Sequence, residues 1–333
     1  MELKSKKAFK KIFIRMPNWL GDFVMALPLL RSIKENHPHA QLTLIAKPEF
    51  KELIKLFPIA DDFISLPSGN YRCLRKLYSI GASEKPDCQV LFTNSARGDI
   101  EAWCVGANKR VGMAYPGKYR PFLTHVYRLD SFKNNLKEIH QTNLLESFLK
   151  SFCLVNEVNS SPFSLKSAKR GLNRVGIVAG SSNNPDKCWA VEKWCKLIKK
   201  LSFEIPESEF ILFGTKNDCL ISKSVANGCG VPVLDVTGKT NMMEFAEELA
   251  ACHLVIGNDT GGMHLANAIG TPVTVLFGPT NLLVTGPYFD SPKLFLQPEG
   301  CSREGGSSIQ LLDPKEVSIR VVNFLKNEIV NRG

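Results

Sequence analysis

The sequence predicts an α/β protein built from two doubly wound, parallel-sheet domains that face a central cleft. Its 333 residues exceed one typical domain, so two domains of roughly 150 residues are expected. In each half, short apolar strands alternate with amphipathic helices, as in successive βαβ units. A polar, Ser-rich and basic stretch at 156–173 interrupts this alternation. The predicted parts are a first domain (1–160), a linker (161–173), a second domain (174–312) and a C-terminal helix (313–333).

The first half opens with a strand and a helix. KKIFIRM predicts the strand, and Ala26, Leu30 and Ile33 recur at helical spacing in FVMALPLLRSIKEN. The same pattern then repeats, with spacings that fit right-handed crossovers. The later strands are AQLTLIA, DDFISLP and CQVLFTN, and the later helices are PEFKELIKLF and YRCLRKLYSIG. One parallel sheet covered by helices is therefore expected.

The second half carries five strands with little polar alternation, which is typical of a parallel sheet with helices on both faces. They are RVGIVAG, EFILFG, VPVLDV, HLVIGN and PVTVLFG. Helical periodicity marks VEKWCKLIKKL, NMMEFAEELAAC and the tail DPKEVSIRVVNFLKNEIV, and Asn241 with Glu244 predicts a capping box. Ligands of such sheets bind beyond the carboxyl ends of the strands, so functional residues are expected in the loops that follow strands.

The composition indicates a folded protein with anionic partners. Apolar residues make up 44% and charged residues 22%, which argues against disordered, fibrous and membrane classes. The net charge of +10 favours nucleic acid, an anionic membrane surface or a phosphorylated substrate, and no nucleic-acid-binding module occurs. Five lysines near the start predict either a solvated tail or contact with anionic lipid headgroups. They are Lys4, Lys6, Lys7, Lys10 and Lys11.

The ten cysteines are scattered, without the spacings of a disulfide framework or a zinc site. A reducing cytosol fits this pattern best. The apolar residues of IFIRMPNWLGDFVMALPLL are interrupted by Arg15, Asn18 and Asp22, which is atypical of a signal-peptide core or a membrane span. We therefore expect a cytoplasmic protein.

The first loop of interest is PNWLGD, directly after the first strand. Gly21 allows close backbone approach, and Asp22 places a carboxylate where a helix begins, so the helix dipole favours its ionised form. An ionised carboxylate that faces a cleft is a candidate general base. The alternative is that Asp22 is an ordinary helix N-cap.

The second loop is GSSNNPDKCW, after the first strand of the second half. From it, Lys187 could extend toward the cleft. The alternative is an ordinary solvated surface lysine.

The third loop lies in VIGNDTGGMHLANAIGTPVTVLFGPT, where Asp259 and Thr260 precede a helix that begins near Gly261. The unbonded N–H groups of a first helical turn, accessible because Gly261 and Gly262 lack side chains, form a seat for a phosphate. His264 lies one turn further on, either as a donor to the same anion or as a buried structural histidine. The later FGPT turn is expected to line the neighbouring part of the crevice.

Several signals of other enzyme classes are missing. No G-x-G-x-x-G follows a strand and no P-loop sequence occurs, which argues against dinucleotide and P-loop binding. There is also no Asp-x-Asp pair. A nucleotide-sugar transferase without such a metal site must neutralise its leaving diphosphate with protein cations and helix dipoles. Lys187, His264 and the amides after Thr260 are the parts available here.

At these residues the sequence resembles glycosyltransferase family 9, the ADP-heptose:lipopolysaccharide heptosyltransferases. The similar blocks are MPNWLGDFVMALPLLRSIKENHPHAQLTLIA, KCWAVEKWCKL, LFGTKND and DVTGKTNMMEFAEELAACHLVIGNDTGGMHLANAIGTPVTVLFGPT. The N-W-x-G-D form looks more like the type II than the type I group of that family. In contrast to many type II members, a late cysteine-rich segment is missing, with only Cys301 in PEGCSREGGSS.

The resemblance implies a GT-B fold of two Rossmann-like domains, the first binding the sugar acceptor and the second ADP-heptose. It implies that Asp22 is the catalytic base and Lys187 the cation near the donor phosphates. For the donor diphosphate it implies a motif formed by Asp259, Thr260, Gly261, Gly262 and His264. Asp218, in LFGTKND, matches an acidic residue near the donor nucleoside.

The expected function is inverting transfer of heptose from ADP-heptose to the inner core of lipopolysaccharide, on a Kdo or heptosyl-Kdo lipid A acceptor. No cofactor, metal ion or nucleic acid is expected, and the enzyme would act peripherally at the inner leaflet of the membrane. Alternatives are another nucleotide-sugar donor or acceptor, or a non-catalytic sugar-nucleotide-binding protein. Candidate acceptor contacts are Asn18, Arg97, Lys109, Arg110, Lys118 and Arg120, each of which could instead serve surface solubility.

Overall fold

The computed structural model describes residues 9–67, 69–130, 136–165, 173–181 and 184–330. Residues singled out above that lie outside this description are Lys4, Lys6, Lys7, 166–172 of the predicted linker, Ser182, Asn183 and 331–333 of the predicted C-terminal helix. The chain divides into two units, Met1–Asn159 and Ser160–Gly333. Each unit has its own sheet and its own buried core.

The first unit is a six-stranded parallel sheet in the order β3-β2-β1-β4-β5-β6. Its strands are β1 (Lys11–Arg15), β2 (Gln41–Ala46), β3 (Asp62–Ser65), β4 (Cys88–Leu91), β5 (Lys109–Ala114) and β6 (His125–Arg128). Its helices are α1 (Leu20–Asn36), α2 (Lys51–Ile54), α3 (Asn70–Glu84), α4 (Ala96–Val105) and α5 (Gln141–Ser151). The central strands are buried on both faces, which explains why they are apolar without alternation.

The second unit repeats this architecture in the order β12-β11-β10-β7-β8-β9, again all parallel. Its strands are β7 (Arg174–Val178), β8 (Glu209–Leu212), β9 (Val233–Asp235), β10 (Leu254–Asn258), β11 (Val273–Leu276) and β12 (Lys293–Leu296). Its helices are α6 (Val191–Glu204), α7 (Cys219–Gly228), α8 (Met242–Ala251), α9 (Gly261–Ala268), α10 (Leu282–Thr285) and α11 (Pro314–Val330). Helix α11 packs against α6.

Both sheets have a topological switch point, where the chain reverses the direction in which it adds strands. In the first sheet it lies between β1 and β4, and in the second between β7 and β10. Crevices at the carboxyl ends of such strand pairs are where doubly wound folds bind ligands. The loops after β1, β7 and β10 are the three that the sequence selects, so each of them lies at a switch point.

The structure confirms the predicted alternation of strands and helices and the capping box. The Asn241 side chain accepts bonds from the N–H groups of Met243 (2.9 Å) and Glu244 (3.0 Å). In return, Glu244 accepts the Asn241 N–H at 2.8 Å.

The single helix predicted over PEFKELIKLF is wrong in its extent. The chain forms a 3₁₀ turn at Pro48–Phe50 and then the four-residue helix α2. A second proline, Pro58, follows this segment, and it cannot supply the N–H bond that would continue the helix.

The residues at the predicted boundary between the first domain and the linker, near position 160, are bonded within the second unit. The N–H of Asp290 donates to the Ser160 carbonyl (2.9 Å), and the N–H of Phe163 donates to the Ala268 carbonyl (2.7 Å). Within the described ranges, no helix has both the length and the apolar character that a membrane crossing needs.

Candidate functional site

The turn between β10 and α9 is built for close packing of the backbone. A Cβ atom on Gly257 would lie 2.6 Å from the Met263 sulfur and 2.8 Å from the Val178 Cβ, so only glycine fits within β10 at this point. Thr260 is the N-cap residue of α9, with extended dihedrals and no side-chain cap bond. In the first turn that follows, the Met263 N–H bonds the Thr260 carbonyl at 3.1 Å, whereas the N–H groups of Gly261 and Gly262 have no acceptor within the helix. The turn therefore presents backbone donors at the carboxyl end of β10.

The Asp259 carboxylate is buried, with 5% of the residue exposed, and several side chains converge on it. The Lys187 ammonium donates to Oδ2 at 2.7 Å, and the Thr280 hydroxyl donates to the same oxygen at 2.8 Å. The Nε2 atom of His264 lies 3.9 Å from Oδ1. We call these four residues the Asp259 cluster. The structure thus brings together three residues that the sequence predicts separately, and two of them, Lys187 and Asp259, lie 72 positions apart.

Thr280 is the member of the cluster that sequence reasoning did not single out by itself. It ends the FGPT turn after β11, the strand beside β10. The sequence places this turn in the same crevice, and a hydroxyl at the end of a neighbouring strand was the available signal. Its bond to Asp259 depends on tertiary placement.

Lys187 ends a short 3₁₀ turn, Pro185–Lys187. The Asn184 side chain caps this turn by accepting the N–H of Asp186 at 2.9 Å, and Pro185 fixes the first backbone angle. Only 23% of the Lys187 side chain is exposed, so it is not an ordinary solvated surface lysine. Its cation lies against the end of β10.

Asp218 lies one strand further along the sheet, after β8. Its Oδ2 atom accepts the Thr215 N–H at 2.8 Å and the Thr215 hydroxyl at 2.7 Å, which stabilises the turn Lys216–Asp218. A Cβ atom on Gly180 would lie 2.2 Å from Asp218 Oδ1, so Gly180 at the end of β7 makes room for this carboxylate. These contacts account for burial of Asp218, and its contact with a donor nucleoside stays a prediction.

Asp22 is the third residue of α1, whose N-cap is Trp19. The alternative that Asp22 is itself the N-cap is therefore wrong, and its carboxylate lies within the first turn, where the helix dipole favours the ionised form. Tyr115 follows β5 in the same unit. Burial raises the pKa of the Tyr115 phenol, and the negative charge of Asp22 raises it further.

A buried ion pair fixes the end of β1, directly before the loop that carries Asp22. Arg15, the last residue of β1, donates from Nε to Glu101 at 2.6 Å, and both side chains are at most 4% exposed. The same guanidinium donates to the Asn18 side chain at 3.2 Å. Breaking a buried pair of this kind is costly, so it fixes the exit of β1. Sequence reasoning missed this pair because its two residues lie 86 positions apart.

The candidate acceptor residues fall into two groups in the structure. Arg120 is buried and ion-paired with Asp99, and it donates to the Thr93 carbonyl at 2.9 Å. Arg110 donates to the carbonyls of Ala107 and Phe122. Their contacts explain Arg120 and Arg110 as supports of the β5–β6 region, whatever they contribute to acceptor binding.

The other candidates are more accessible. Asn18 is exposed, and Arg97 is 60% exposed while paired with Glu101 at 3.0 Å. Lys118 is exposed, and the Lys109 ammonium lies 5.2 Å from the Phe152 ring centroid. Acceptor contact stays a prediction for all of them.

No group of three or more His, Cys, Asp or Glu side chains that could hold a metal ion occurs within the described ranges. Cys301 lies near the Gln297 amide in the loop after β12. The expectation of a reaction without metal or cofactor remains a prediction.

The family model described as glycosyltransferase family 9 (heptosyltransferase) matches residues 91–310. Lipooligosaccharide heptosyltransferase 2 of Campylobacter jejuni subsp. jejuni serotype O:2 is 26% identical to the chain, over 95% of the chain and 99% of that relative.

Two solved structures share the fold. One is E. coli ADP-heptose LPS heptosyltransferase II, with a TM-score of 0.79 and 20% identity over 96% of this chain and 99% of that one. The other is E. coli heptosyltransferase WaaC with ADP, with a TM-score of 0.74 and 16% identity over 94% and 99%. At these identities the likeness is one of fold, and it agrees with the predicted pair of doubly wound sheets.

Proposed function

The chain belongs to glycosyltransferase family 9, the heptosyltransferase family, and we propose that it transfers heptose from ADP-heptose to the inner core of lipopolysaccharide. The acceptor is a Kdo or heptosyl-Kdo lipid A, and the transfer inverts the anomeric configuration. The observation that carries this proposal is the Asp259 cluster at the start of α9. This cluster supplies a cation and a hydrogen-bond donor, which stabilise a departing nucleoside diphosphate.

The leaving group of the reaction is ADP, on which negative charge grows in the transition state. The Lys187 ammonium lies beside the first turn of α9, whose N–H groups and dipole favour an anion. Asp259 fixes the ammonium in a partly buried site, where electrostatic stabilisation exceeds that in water, and the Thr280 hydroxyl in turn fixes the Asp259 carboxylate. His264 supplies a further donor to the diphosphate. The solved structure of E. coli heptosyltransferase WaaC holds ADP, which supports an adenine nucleotide as part of the donor proposed here.

Asp22 is the base in this proposal. An acceptor hydroxyl attacks the anomeric carbon of heptose, the new C–O bond forms, and the bond between that carbon and the diphosphate oxygen breaks. The hydroxyl proton goes to the Asp22 carboxylate, and the electron pair of the broken bond goes to ADP. Its place in the first turn of α1 supports this role, because the helix dipole keeps the carboxylate ionised until the hydroxyl binds. No covalent intermediate with the protein and no metal ion is part of the proposal.

The acceptor carries phosphates and sugar carboxylates and is anchored in a membrane. The net charge of +10 supports binding of such a polyanion at the cytoplasmic face of the inner membrane. Arg97 and Lys118 are the exposed cations of the first unit that we assign to acceptor contact.

The test is mass spectrometry of Kdo-lipid A acceptors, with and without a first heptose, after incubation with the protein and ADP-heptose. Parallel reactions contain excess EDTA or added Mg²⁺, and a competition series compares ADP with UDP and GDP. We expect one acceptor to gain the mass of one heptose equally in EDTA and in Mg²⁺, with ADP as the strongest competitor.

Other outcomes separate the parts of the proposal. A mass gain abolished by EDTA contradicts metal independence alone. Stronger competition by UDP or GDP contradicts the adenine nucleotide. If ADP stabilises the protein thermally while no acceptor gains mass, the donor site stands and the assigned acceptor falls.

A further inference from the structure

The segment that carries Lys187 is bonded from outside by two amide side chains. We call residues 184–190 the Lys187 segment. Asn258, the last residue of β10, is fully buried. Its Nδ2 donates to the Ala179 carbonyl at 2.7 Å, and its Oδ1 accepts the Trp189 N–H at 3.3 Å. This one side chain therefore joins the ends of β7 and β10 to the Lys187 segment.

The second amide is Gln310, which lies 122 positions from the carbonyl that it bonds. Its Nε2 donates to the Cys188 carbonyl at 2.6 Å, and its Oε1 accepts the Ala190 N–H at 3.0 Å. These bonds bracket Trp189, whose ring is buried and packs edge-to-face on Trp194 with centroids 5.2 Å apart. Gln310 satisfies the backbone on both sides of this anchor, as a paired strand would.

The Asn258 bond to the Lys187 segment and the contact of the Lys187 ammonium are made by adjacent residues, one at the end of β10 and one in the turn that follows. Asn258 bonds the backbone at Trp189, and Asp259 bonds the Lys187 ammonium at 2.7 Å. A lysine side chain has many rotamers, so its ammonium is localised only if its backbone is fixed as well. The two amides supply that fixed backbone. Neither of them contacts the Lys187 ammonium.

We propose that Asn258 and Gln310 are positioning residues, which fix the Lys187 segment so that its ammonium meets the diphosphate of a nucleotide-sugar donor at the start of α9. The inference rests on the proposed function, because it needs Lys187 to bind that diphosphate. It extends the site to Gln310, in a part of the chain where sequence reasoning identified no element.

The experiment measures ADP and adenosine binding by calorimetry for the wild type, Gln310→Ala and Gln297→Ala, each also combined with Lys187→Ala. Gln310 is exposed, so its truncation leaves no buried cavity. Gln297 is a matched control, because it bonds within its own loop, to Ser302 and Cys301, and not to the Lys187 segment.

We expect Gln310→Ala to weaken ADP binding about five- to tenfold, the equivalent of one net hydrogen bond. Adenosine binding and the melting temperature should match those of Gln297→Ala. In the Lys187→Ala background the same substitution should cost less than twofold, since Gln310 acts through Lys187. Gln310→Glu keeps the acceptor for the Ala190 N–H but loses the donor to Cys188, so its loss should be intermediate.

Each contrary result has its own meaning. A wild type that binds no ADP overturns the proposed donor and this inference with it. If the wild type binds ADP and Gln310→Ala binds it as Gln297→Ala does, the donor stands and the positioning role is wrong. The positioning role is also wrong if Gln310→Ala lowers ADP affinity by the same factor in the wild type and in Lys187→Ala. The same holds if Gln310→Ala weakens adenosine binding as much as it weakens ADP binding. If Gln310→Ala does not fold, Gln310→Glu provides the test. An ADP affinity of Gln310→Glu equal to that of the wild type then contradicts the positioning role.

Discussion

Asp22 lies in the first turn of α1, where the helix dipole favours its ionised form by about 0.3–1 kcal/mol. This modest effect stabilises the anion without abolishing its basicity, as a general base requires. The side chain is half-buried, and Tyr115 lies close enough for the charges of the two groups to interact. In the proposed mechanism, deprotonation of the acceptor hydroxyl therefore depends on this one carboxylate of the first unit.

Replacement of Asp22 by asparagine tests this dependence. General base catalysis contributes about 10²–10⁴-fold, so Asp22→Asn should lower kcat at least 100-fold. ADP affinity should not change, because the proposed donor contacts belong to the second unit. Steady-state kinetics and calorimetry measure the two quantities, with the exposed Glu35→Gln at the other end of α1 as the control. A loss of kcat below tenfold would rule out Asp22 as the base.

Lys187 lies in the second unit, and its substitution should act on the donor. Lys187→Ala removes a charge-assisted contact worth about 1.5–3 kcal/mol, so ADP should bind roughly 10- to 100-fold more weakly, and turnover should fall as well. Calorimetry with ADP measures the change in affinity, and the exposed Lys196→Ala on α6 is the matched control. An ADP affinity equal to that of the control would contradict the phosphate contact.

Lys187→Arg separates charge from geometry in the same measurement. The guanidinium keeps the positive charge beside Asp259 but differs in shape from the ammonium. We expect ADP affinity between that of Lys187→Ala and that of the wild type.

At the scale of elements, three helices of the first unit end in left-handed residues of different kinds. Helix α4 ends at Gly106 (φ 71°), whereas α3 ends at Lys85 (φ 46°). After α5, Cys153 (φ 60°) lies in a Schellman motif, in which the N–H of Leu154 bonds the Leu149 carbonyl. Left-handed backbone is unfavourable for residues with a Cβ atom, so Cys153 is a locally strained end.

Cys153→Gly should therefore raise the free energy of unfolding by up to about 1 kcal/mol, since relief of the left-handed strain exceeds the extra chain entropy of glycine. Gly106→Ala is the mirror control. Its Cβ would meet nothing closer than 3.9 Å, so its expected loss of about 1 kcal/mol comes from the backbone alone. Urea titrations measure both variants. A Cys153→Gly protein less stable than the wild type would contradict the strain.

Helix α5 also stabilises α1, the helix that carries Asp22, through one hydrogen bond. The Thr142 hydroxyl donates to the Met25 carbonyl of α1 at 3.2 Å. Met25 lies just before Pro28, which lacks the N–H needed for a helical bond to the Val24 carbonyl. A bond from outside the helix thus stabilises α1 near its interruption, a few residues after Asp22.

Local features of the fold could be predicted from the sequence, whereas contacts between distant positions could not. The loops that follow β1, β7 and β10 could be predicted, because strand periodicity is local and parallel strands end on one edge of the sheet. The bonds of Arg15 to Glu101 and of Gln310 to Cys188 could not, because they join positions 86 and 122 residues apart. Arg120 shows the same limit, since its charge indicates a surface residue and its pairing with Asp99 buries it.

At the scale of the whole molecule, each unit has its own sheet and core, and each core contains a fully buried thiol whose pKa is strongly raised. Burial raises the pKa of Cys88, at the start of β4, to about 12, and burial likewise raises the pKa of Cys252, before β10, to about 12. The ordinary value is 9.0 in both cases. Because the native state keeps these protons longer than the unfolded state, stability is complete below pH 9 and falls as the pH rises toward 12.

Between these limits each thiol should lower the unfolding free energy of its unit by about 1.4 kcal/mol per pH unit. At pH 10.5 the expected loss relative to pH 8 is about 2 kcal/mol per thiol.

Since a chain with two cores need not unfold in one step, the measurement is a urea titration at both pH values for the wild type, Cys88→Ala and Cys252→Ala. Each substitution should remove the alkaline loss from one transition only, Cys88→Ala from that of the first unit and Cys252→Ala from that of the second. If both variants retain the full wild-type loss at pH 10.5, the thiols do not carry it. If either variant changes both transitions equally, the two cores unfold as one, and the stabilities of the two units are coupled.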